Sequence, residues 1–451
     1  MRNKIVILLC VGLCFLAACA KKQPAPTVPP QEKAIIQDLA EFPQNLEVYA
    51  KNVGPNKRLI SQAAQTEMDH VFNQLYFGPW QMSRTSISRR EASEFSSRAH
   101  GYKSGGAAWT QPEWDTLKAN AAIGSFPSRA TQAITLRQTD LRELPTHEGR
   151  FSKPSRDQKS DPFDSFQYSL LPPGMPLLIA HTSRDGCWHY VECPIAGGWV
   201  DAADIAIVSP AFKSEWLTGR YAALVAENVS LPGTGRGGGD SRAGIGTILP
   251  VAKQGGPGLN VLVPVAGKNG FAETAEIPLG AQQAQIKPYA LTPGNVAKVG
   301  NAMLGQGYGW GGTFGLRDCS AMIRDLFAPF GLWLPRNSRA QARRGSAISL
   351  AGLTAEQKAQ RILADGVPFL SLVGLPGHIT LYIGPWRDKP ALFHNAWGLR
   401  IIKDGNDDER LIIGRAVITS ITPGMELPEL YRPRTFVDRI RSLTRLGPRS
   451  Q

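Results

Sequence analysis

Apolar and polar positions recur with different periods along the chain. Residues 57–75 place apolar side chains at helical intervals, and residues 32–128 as a whole are predicted to be mainly helical. From residue 129 the period shortens, as in the alternating stretch 133–137, and short apolar runs end at Gly and Pro. This pattern predicts strands joined by tight turns. Beyond Thr292 the two patterns mix, which is typical of an α+β domain.

The start of the chain has the features of an export signal. Arg2 and Lys4 precede an apolar run that is long enough for a signal peptide and too short to span a bilayer comfortably. The run ends in Leu-Ala-Ala before Cys19, which resembles the lipobox of bacterial lipoproteins. The resemblance implies a signal peptide at 1–18, acyl chains on Cys19 and a polar, Pro-rich tether at 19–31. The alternative is an ordinary signal peptide with a chance cysteine.

These features predict a protein held at the cell envelope by a lipid anchor. Ala20, rather than Asp, follows Cys19, and by resemblance this favours the outer membrane, facing the periplasm, in a Gram-negative host. The formal net charge of +13 suits a surface that meets anionic polymers and lipids. Nucleic acid is the competing partner for a basic chain. Because the charges are scattered and an exported protein rarely meets nucleic acid, we predict no such binding.

The middle of the chain predicts two small β-barrels. Residues 129–210 contain short strands, tight turns and a terminal Gly-Trp-Val at 198–200, and they resemble a bacterial SH3 domain. Residues 211–290 repeat the theme around a glycine-rich turn at 233–239. That turn lacks both a strand-then-helix setting and a following Lys-Ser or Lys-Thr, so it is not predicted to be a phosphate loop. Residues 211–290 as a whole are therefore predicted to form a second SH3-like barrel.

The cysteines of the chain have different predicted roles. Two of the six lie in the predicted signal, and a third is the lipid site. Cys187 and Cys193 lie six residues apart in one strand-like stretch, and a disulfide between them across a hairpin stays open at this point. Cys319 is left over. Such a cysteine is either a small buried hydrophobe or a reactive thiol, and its surroundings favour the thiol.

Cys319 is predicted to lie in the first turn of a helix. A glycine-rich loop that starts at Tyr308 leads into Asp318-Cys319-Ser320, and apolar residues follow at three- and four-residue spacing. Asp318 is a good N-cap for this helix. The partial positive charge at a helix N-terminus favours a thiolate. We therefore predict a lowered pKa for Cys319 and a role as nucleophile.

Two histidines beyond residue 292 are candidates for the base that a nucleophilic cysteine needs. His378 opens an alternating, strand-like stretch, and His394 lies in a second such stretch after a short turn. Antiparallel pairing of these stretches brings the two rings together. One ring takes the proton from Cys319, and the other holds the first in the right tautomer. The alternative is that each histidine is a satisfied core or surface residue.

These residues resemble the NlpC/P60 family of papain-like peptidases. The resemblance rests on Tyr308 with Gly311-Gly312, Asp318-Cys319-Ser320, Leu334-Pro335-Arg336-Asn337-Ser338, and Gly377-His378-Ile379 with Tyr382-Ile383-Gly384. It spans about 292–424 and departs at Ala321, where the family commonly has Gly. It implies a multidomain α+β chain with a helical N-terminal segment, two SH3-like barrels and an NlpC/P60 domain at 291–451. The implied catalytic residues are Cys319, His378 and His394.

The whole layout resembles the γ-D-glutamyl-L-diamino-acid endopeptidases. The resemblance implies cleavage between D-Glu and the diamino acid, such as meso-diaminopimelate, of peptidoglycan stem peptides with a free N-terminal L-Ala. It also implies that Asp318 contacts the free amine and that Ser320 and Tyr308 line the site. The family often has a Tyr just before Gly-Trp-Val in the first SH3 module. This chain has none there, and Tyr190 or Ser183 are the substitutes considered.

The implied chemistry is acyl transfer by a cysteine peptidase without a cofactor. Backbone N–H of Cys319 and the Tyr308 hydroxyl are the candidate oxyanion donors. No metal is predicted, because the Cys and His spacing fits no zinc pattern, and no obligate protein partner is evident. The alternatives are a non-catalytic murein-binding lipoprotein and an amidase or acyltransferase on the same scaffold.

Two basic segments close the sequence-based picture. Arg336, Arg339, Arg343 and Arg344 follow the cysteine helix, and most of them are predicted to form a solvated basic face rather than a carboxylate site. The tail beyond Leu427 is basic and interrupted by Pro. Its pattern fits packing against the body and exposure to solvent equally well.

Overall fold

A computed structural model describes residues 36–94, 100–154, 162–252 and 258–447 of the chain. The predicted signal peptide, the tether and the lipid site at Cys19 lie outside the described residues. Among the helices that are described, none combines the length and apolar content needed to cross a bilayer.

The N-terminal region is mainly helical, as predicted. Its helices are α1 (Gln37–Glu41), α2 (Leu46–Val53), α3 (Gln62–Tyr76), α4 (Arg89–Ala92) and α5 (Gln111–Ala121). Helix α3 was expected over 57–75 but begins later. The Ser61 side chain accepts a hydrogen bond from the Ala64 backbone N–H and caps the helix there.

The region after residue 130 forms one antiparallel sheet, in the SH3-like barrel expected there. Its strands are β1 (Thr131–Thr135), β2 (Thr139–Arg142), β3 (Gln167–Leu171), β4 (Pro176–Thr182), β5 (Trp188–Glu192), β6 (Gly197–Asp201) and β7 (Ile205–Ile207). They lie in the order β3-β2-β6-β5-β4-β1-β7. Trp199 of the Gly-Trp-Val segment is fully buried and packs edge-to-face against Tyr190, with ring centroids 5.5 Å apart.

The disulfide between Cys187 and Cys193 that the sequence left open is not formed. Cys193 is a free thiol and donates a hydrogen bond to the Ala196 carbonyl at 3.0 Å. The two cysteines flank strand β5, so an extended strand separates them, not a turn. At about 3.3 Å per residue, their Cα atoms lie roughly 20 Å apart, whereas a disulfide requires less than about 7 Å.

A second β-rich unit follows helix α6 (Pro210–Trp216). Its strands are β8 (Tyr221–Leu224), β9 (Val229–Leu231), β10 (Ser241–Ala243), β11 (Ile248–Pro250), β12 (Leu259–Ala266), β13 (Ala272–Leu279) and β14 (Ala284–Lys287). Strand β8 lies between β11 and β14, while β9 pairs with β10 and β12 with β13. The predicted strands of this segment are therefore present, and they share one buried apolar cluster with the first sheet.

The C-terminal region packs helices against a six-stranded sheet. Its helices are α7 (Pro293–Met303), α8 (Cys319–Phe327), α9 (Ser338–Gln341), α10 (Ala355–Asp365) and α11 (Phe436–Arg439). Its strands are β15 (Ser346–Ser349), β16 (Ser371–Leu375), β17 (His378–Trp386), β18 (Lys389–Lys403), β19 (Asn406–Thr419) and β20 (Ser442–Arg445). Helix α8 buries its apolar face, including Met322 and Ile323, in the core with Ile379 and Leu381 of β17.

The basic tail packs against the body. Strand β20 lies between β15 and β16 in the sheet, and Leu443 at its centre is buried. The tail also carries α11, whose Phe436 ring lies 5.9 Å from the His378 ring. The tail is therefore part of the fold of the C-terminal domain and reaches the candidate site.

The first SH3-like sheet contacts the loop before α8 directly. Gly311 and Gly312 in this loop have φ values of +61° and +95°, and a Cβ on either would collide with Gln167 or Leu170 of β3. The Gln167 side-chain amide donates to the Gly311 carbonyl at 3.2 Å. The paired glycines therefore permit the close approach of the two domains.

Candidate active site

Cys319 begins helix α8 as the sequence predicted. The Asp318 side chain caps the helix by accepting a hydrogen bond from the Ala321 backbone N–H at 2.8 Å. The thiol is buried, with 5% of the residue exposed, and the backbone N–H groups of Ile379 and Ser320 are directed at it. Ile379 directly follows His378 in β17, so the sulfur lies next to the strand that carries the candidate base.

The prediction of a lowered Cys319 pKa is wrong. Burial raises the pKa of Cys319 to about 12, and the neighbouring negative charge of Asp318 acts in the same direction. The hydrogen bonds from Ile379 and Ser320 oppose this change without outweighing it. The helix N-terminus is a local effect, whereas removal of water from the thiol depends on the whole domain. Cys319 therefore rests as a neutral thiol.

His378 and His394 meet as predicted across the antiparallel pair β17 and β18. Leu381 pairs with Phe393, and this register brings His378 Nε2 to 2.9 Å from His394 Nδ1. The outer nitrogen of His394, Nε2, lies 3.0 Å from the hydroxyl of Thr419 in β19.

Thr419 determines how the protons are arranged on both rings. Its hydroxyl has one proton, which it donates to the Ser420 carbonyl at 2.9 Å. It must therefore accept the Nε2 proton of His394, and His394 Nδ1 in turn accepts the Nε2 proton of His378. This leaves the lone pair of His378 on Nδ1, where a general base requires it. Thr419 was not predicted from the sequence, because its role depends on the third strand of the sheet.

The base rests uncharged as well. Burial and, to a smaller extent, the positive charge of Arg439 lower the pKa of His378 to about 3, while Asp318 opposes the shift. Burial also holds the pKa of His394 well below its usual range. Both imidazoles are neutral around pH 7, and so is the thiol. The arrangement therefore supports proton transfer at the moment of attack instead of a resting thiolate–imidazolium pair.

Asp318, the predicted amine ligand, already has a cationic partner. Its two carboxylate oxygens accept hydrogen bonds from Arg336 at 2.5 and 3.1 Å, and from the Gly311 backbone N–H at 3.1 Å. Ser320 and Ala321 also donate to this carboxylate. Arg336 holds the pKa of Asp318 below its usual value despite burial, which raises it. An ammonium group would therefore share Asp318 with Arg336, and the role of Asp318 in amine binding stays a prediction.

Arg336 is the exception among the four arginines, most of which were predicted to form a solvated basic face. Only 12% of its side chain is exposed, and it pairs with Asp318. Its Nε also donates to the Ser169 hydroxyl of β3 at 2.9 Å, which links the SH3-like sheet to the site. In contrast, Arg339, Arg343 and Arg344 are exposed, as expected. The Leu-Pro-Arg-Asn-Ser segment was the signal in the sequence that could have identified Arg336.

Ser320 and Tyr308 both lie near Cys319, and of these two residues only Tyr308 lines the space beside His378 and His394. The Ser320 hydroxyl donates to Asp318 at 3.0 Å and accepts from Arg336 at 2.9 Å. Burial raises the pKa of Tyr308, and the nearby Cys319 and Asp318 act in the same direction. Its hydroxyl is therefore a proton donor close to the thiol, as an oxyanion ligand should be. Their roles toward substrate stay predictions.

A cleft of about 360 Å³ opens beside the two histidines. Phe163 of the first SH3-like domain forms one wall, and its ring lies 5.2 Å from that of Trp310 and 6.2 Å from that of Trp397. Trp397 also contacts Tyr308, with centroids 5.8 Å apart. The opposite end is basic and includes Arg439 of the tail.

The residue with which the SH3-like domain closes the cleft is neither Tyr190 nor Ser183, the two substitutes suggested by the sequence. Tyr190 is buried against Trp199, and Ser183 donates to Asp185 at 2.6 Å; neither lines the cleft. Phe163 takes that place instead. It lies far from Cys319 in the sequence and follows no motif, so its position only becomes visible once the domains are packed.

Three family models match this chain. They are the NLPC_P60 stabilising domain, N term, over residues 8–126, the SH3 domain of the SH3b1 type over 150–201, and the NlpC/P60 family over 305–405. The last of these contains Cys319 and both histidines. The order of the three matches is the order expected from the sequence.

Two comparisons with individual proteins agree with these matches. A solved structure described as a novel NlpC/P60 endopeptidase from Photobacterium damselae subsp. piscicida superposes with a TM-score of 0.78 at 23% identity, over 90% of this chain and 97% of the other. The likeness shows a shared fold. A probable endopeptidase of Corynebacterium glutamicum (strain R) is 30% identical over 104 residues.

A second probable endopeptidase of C. glutamicum is 28% identical over 100 residues. In both cases the match spans 22% of this chain and 48% of the relative, so the chain covers about half the length of the curated relatives. Three segments of the chain therefore match, in chain order, the NLPC_P60 stabilising domain, an SH3 domain and the NlpC/P60 family.

Proposed function

We propose that this chain is a cysteine endopeptidase that cleaves the bond between the γ-carboxyl of D-Glu and meso-diaminopimelate in peptidoglycan stem peptides. The observation that carries the proposal is the group of Cys319 and His394, both buried, and the partly exposed His378, beside a cleft and inside the segment that matches the NlpC/P60 family. The SH3-like domain that forms one wall of this cleft supports a cell-wall peptide as the substrate.

The proposed reaction is acyl transfer through a thioester. His378 Nδ1 takes the thiol proton as the Cys319 sulfur attacks the γ-glutamyl carbonyl, because both groups are neutral at rest. The Cys319 backbone N–H and the Tyr308 hydroxyl donate to the oxyanion. His378 then gives its proton to the leaving amine, and the C–N bond breaks. Water, deprotonated by His378, hydrolyses the thioester and restores the thiol.

The proposal includes a preference for peptides whose N-terminal L-Ala is free. Asp318 is the candidate partner of the ammonium group, because a buried carboxylate with a lowered pKa attracts a cation. Arg336 already occupies part of this carboxylate. We therefore expect a modest preference, smaller than an unpaired carboxylate would produce.

Peptide cleavage tests both parts of the proposal. The full-length chain and its Cys319→Ala variant are incubated with L-Ala-γ-D-Glu-meso-diaminopimelate, with and without an N-acetyl group. We expect the wild type to release L-Ala-D-Glu, the variant to release none, and acetylation to slow the reaction. Binding without cleavage would instead favour the murein-binding alternative. Equal rates for the free and acetylated peptides would remove the amine preference.

We further propose that Cys19 carries the lipid that holds the protein at the envelope, in the outer membrane of a Gram-negative host. The proposal rests on the lipobox-like segment in the sequence. Cys19→Ser should move the protein from the membrane fraction to the soluble fraction of cells. If the variant stays in the membrane fraction, the anchor is not on this cysteine.

A further inference from the structure

The basic end of the cleft holds more positive charge than its acidic neighbours neutralise. Arg400, Arg410, Arg434 and Arg439 all line this end. Arg400 pairs with Asp407 at 3.1 Å. The other three, which we name the arginine rim, form no salt bridge with an acidic side chain in the described part of the chain.

The members of the arginine rim are close enough to act on one another. Arg439 is half-buried; burial lowers its pKa, and the charges of Arg434 and Arg410 lower it further. Arg410 and Arg434 are exposed and accessible from the cleft. Like charges gathered without a counter-charge repel, so an anion that enters between them relieves this repulsion.

The arginine rim lies on the side from which a leaving group departs. Arg439 donates a hydrogen bond to the Pro376 carbonyl at 2.5 Å, two residues before His378. In the proposed reaction His378 protonates the leaving amine, so the leaving amino acid lies on the His378 side of the scissile bond. The aromatic wall of Phe163 and Trp397 faces the same cleft and offers apolar contact to the rest of the peptide.

We infer that the arginine rim binds the side-chain carboxylate of the leaving diamino acid. This inference rests on the proposed function and names the specificity site for its leaving group. Meso-diaminopimelate carries a side-chain carboxylate that L-Lys lacks, and guanidinium groups bind carboxylates through paired hydrogen bonds. The rim therefore discriminates between diamino acids by charge and favours meso-diaminopimelate over L-Lys.

Binding to a chain that cannot turn over separates this inference from catalysis. We would measure Kd by calorimetry for L-Ala-γ-D-Glu-meso-diaminopimelate and for the matching L-Lys peptide, using the full-length Cys319→Ala chain. Arg410→Gln and Arg434→Gln are then introduced together into the Cys319→Ala chain. Both side chains are exposed, so their loss leaves the core unchanged. The matched control is Arg343→Gln, which removes one exposed positive charge outside the cleft.

We expect the double change to raise Kd for the diaminopimelate peptide roughly tenfold or more and to leave Kd for the L-Lys peptide nearly unchanged. The control should leave both values unchanged. Equal affinities for the two peptides, or an equal loss for both, would overturn the inference. If the peptide binds in this charge-dependent way but the wild type does not cleave it, the proposed function fails while the carboxylate site stands.

Discussion

His378 Nε2 lies 2.9 Å from His394 Nδ1, and the hydroxyl of Thr419 decides which of the two nitrogens carries the proton. Because Thr419 donates to the Ser420 carbonyl, the chain of hydrogen bonds runs in one direction and ends with the lone pair on His378 Nδ1. Thr419 is thus a positioning residue that acts on the base through His394.

Replacing Thr419 by Val should slow catalysis without affecting substrate binding. Valine has a similar shape but cannot accept a hydrogen bond from His394 Nε2–H. The tautomers of His394 and His378 are then no longer fixed. We expect kcat to fall roughly ten- to hundredfold, part of the 10²–10⁴ that general bases contribute, with KM unchanged. Thr419→Ser keeps the hydroxyl and should restore most of the activity. Equal activity of the Val and wild-type proteins would contradict the proton arrangement.

The neutral resting thiol predicts a steep pH dependence for chemical modification. With a Cys319 pKa of about 12, the thiolate fraction rises roughly tenfold per pH unit between pH 7 and 10. Alkylation by iodoacetamide, followed on the Cys319 peptide by mass spectrometry, should rise in parallel. Cys193 provides an internal comparison, because burial raises its pKa to about 11. A Cys319 rate that reaches its plateau near pH 7 would indicate a resting thiolate instead.

The neutral histidines of the candidate site should make the fold sensitive to acid. The folded pKa of His378 is about 3, below its unfolded value, so its contribution to stability is complete above about pH 6.5 and is lost as the pH falls toward 3. Because unfolding lets His378 take up a proton, the free energy of unfolding falls by about 1.4 kcal/mol for each pH unit in this window. His378→Gln should therefore lose less thermal stability between pH 7 and 4 than wild type.

Exposed His70 on α3 offers a matched control for this measurement. His70→Gln should follow the wild-type profile of Tm against pH. If His378→Gln and His70→Gln behave alike, the His378 imidazole does not stay neutral in the folded protein at these pH values.

The contact between Gly311 and Gln167 should be sensitive to a single methyl group. A Cβ at Gly311 collides with the Gln167 backbone, whereas Gly315 has a similar φ of +72° and open space around its Cβ position. Gly315→Ala should cost only the left-handed backbone strain, about 1–2 kcal/mol. Gly311→Ala should cost more and also lower kcat/KM, since it separates the SH3-like sheet from the site. Equal losses in Tm and activity would contradict this role of the contact.

The sequence predicted the parts of the site that depend on local pattern. The cap at Asp318, the helix start at Cys319 and the strands of His378 and His394 all follow from spacing, and the structure contains them. The sign of the Cys319 pKa shift was wrong, because burial depends on the whole domain and outweighs the helix terminus.

The sequence patterns did not predict the residues that reach the site only through tertiary packing. The sequence did not distinguish Arg336 from the three neighbouring arginines, yet the approach of Ser169 and Asp318 encloses it. Phe163 and Arg439 reach the cleft from the first SH3-like domain and from the tail, respectively. The sequence around Phe163 and around Arg439 contains no motif that predicts a place in the cleft. Both residues reach it only because elements distant in the chain pack together.

The central claim, that Cys319 forms a thioester with the γ-glutamyl group, can be tested by mass spectrometry of the peptide that contains Cys319. The full-length chain is mixed with L-Ala-γ-D-Glu-meso-diaminopimelate, quenched in acid within the first turnover and digested for peptide mapping. We predict an added L-Ala-γ-D-Glu acyl group on the Cys319 peptide, and none on the Cys319→Ala variant. Cleavage of the peptide by the Cys319→Ala chain, or an acyl group on another residue, would contradict the account.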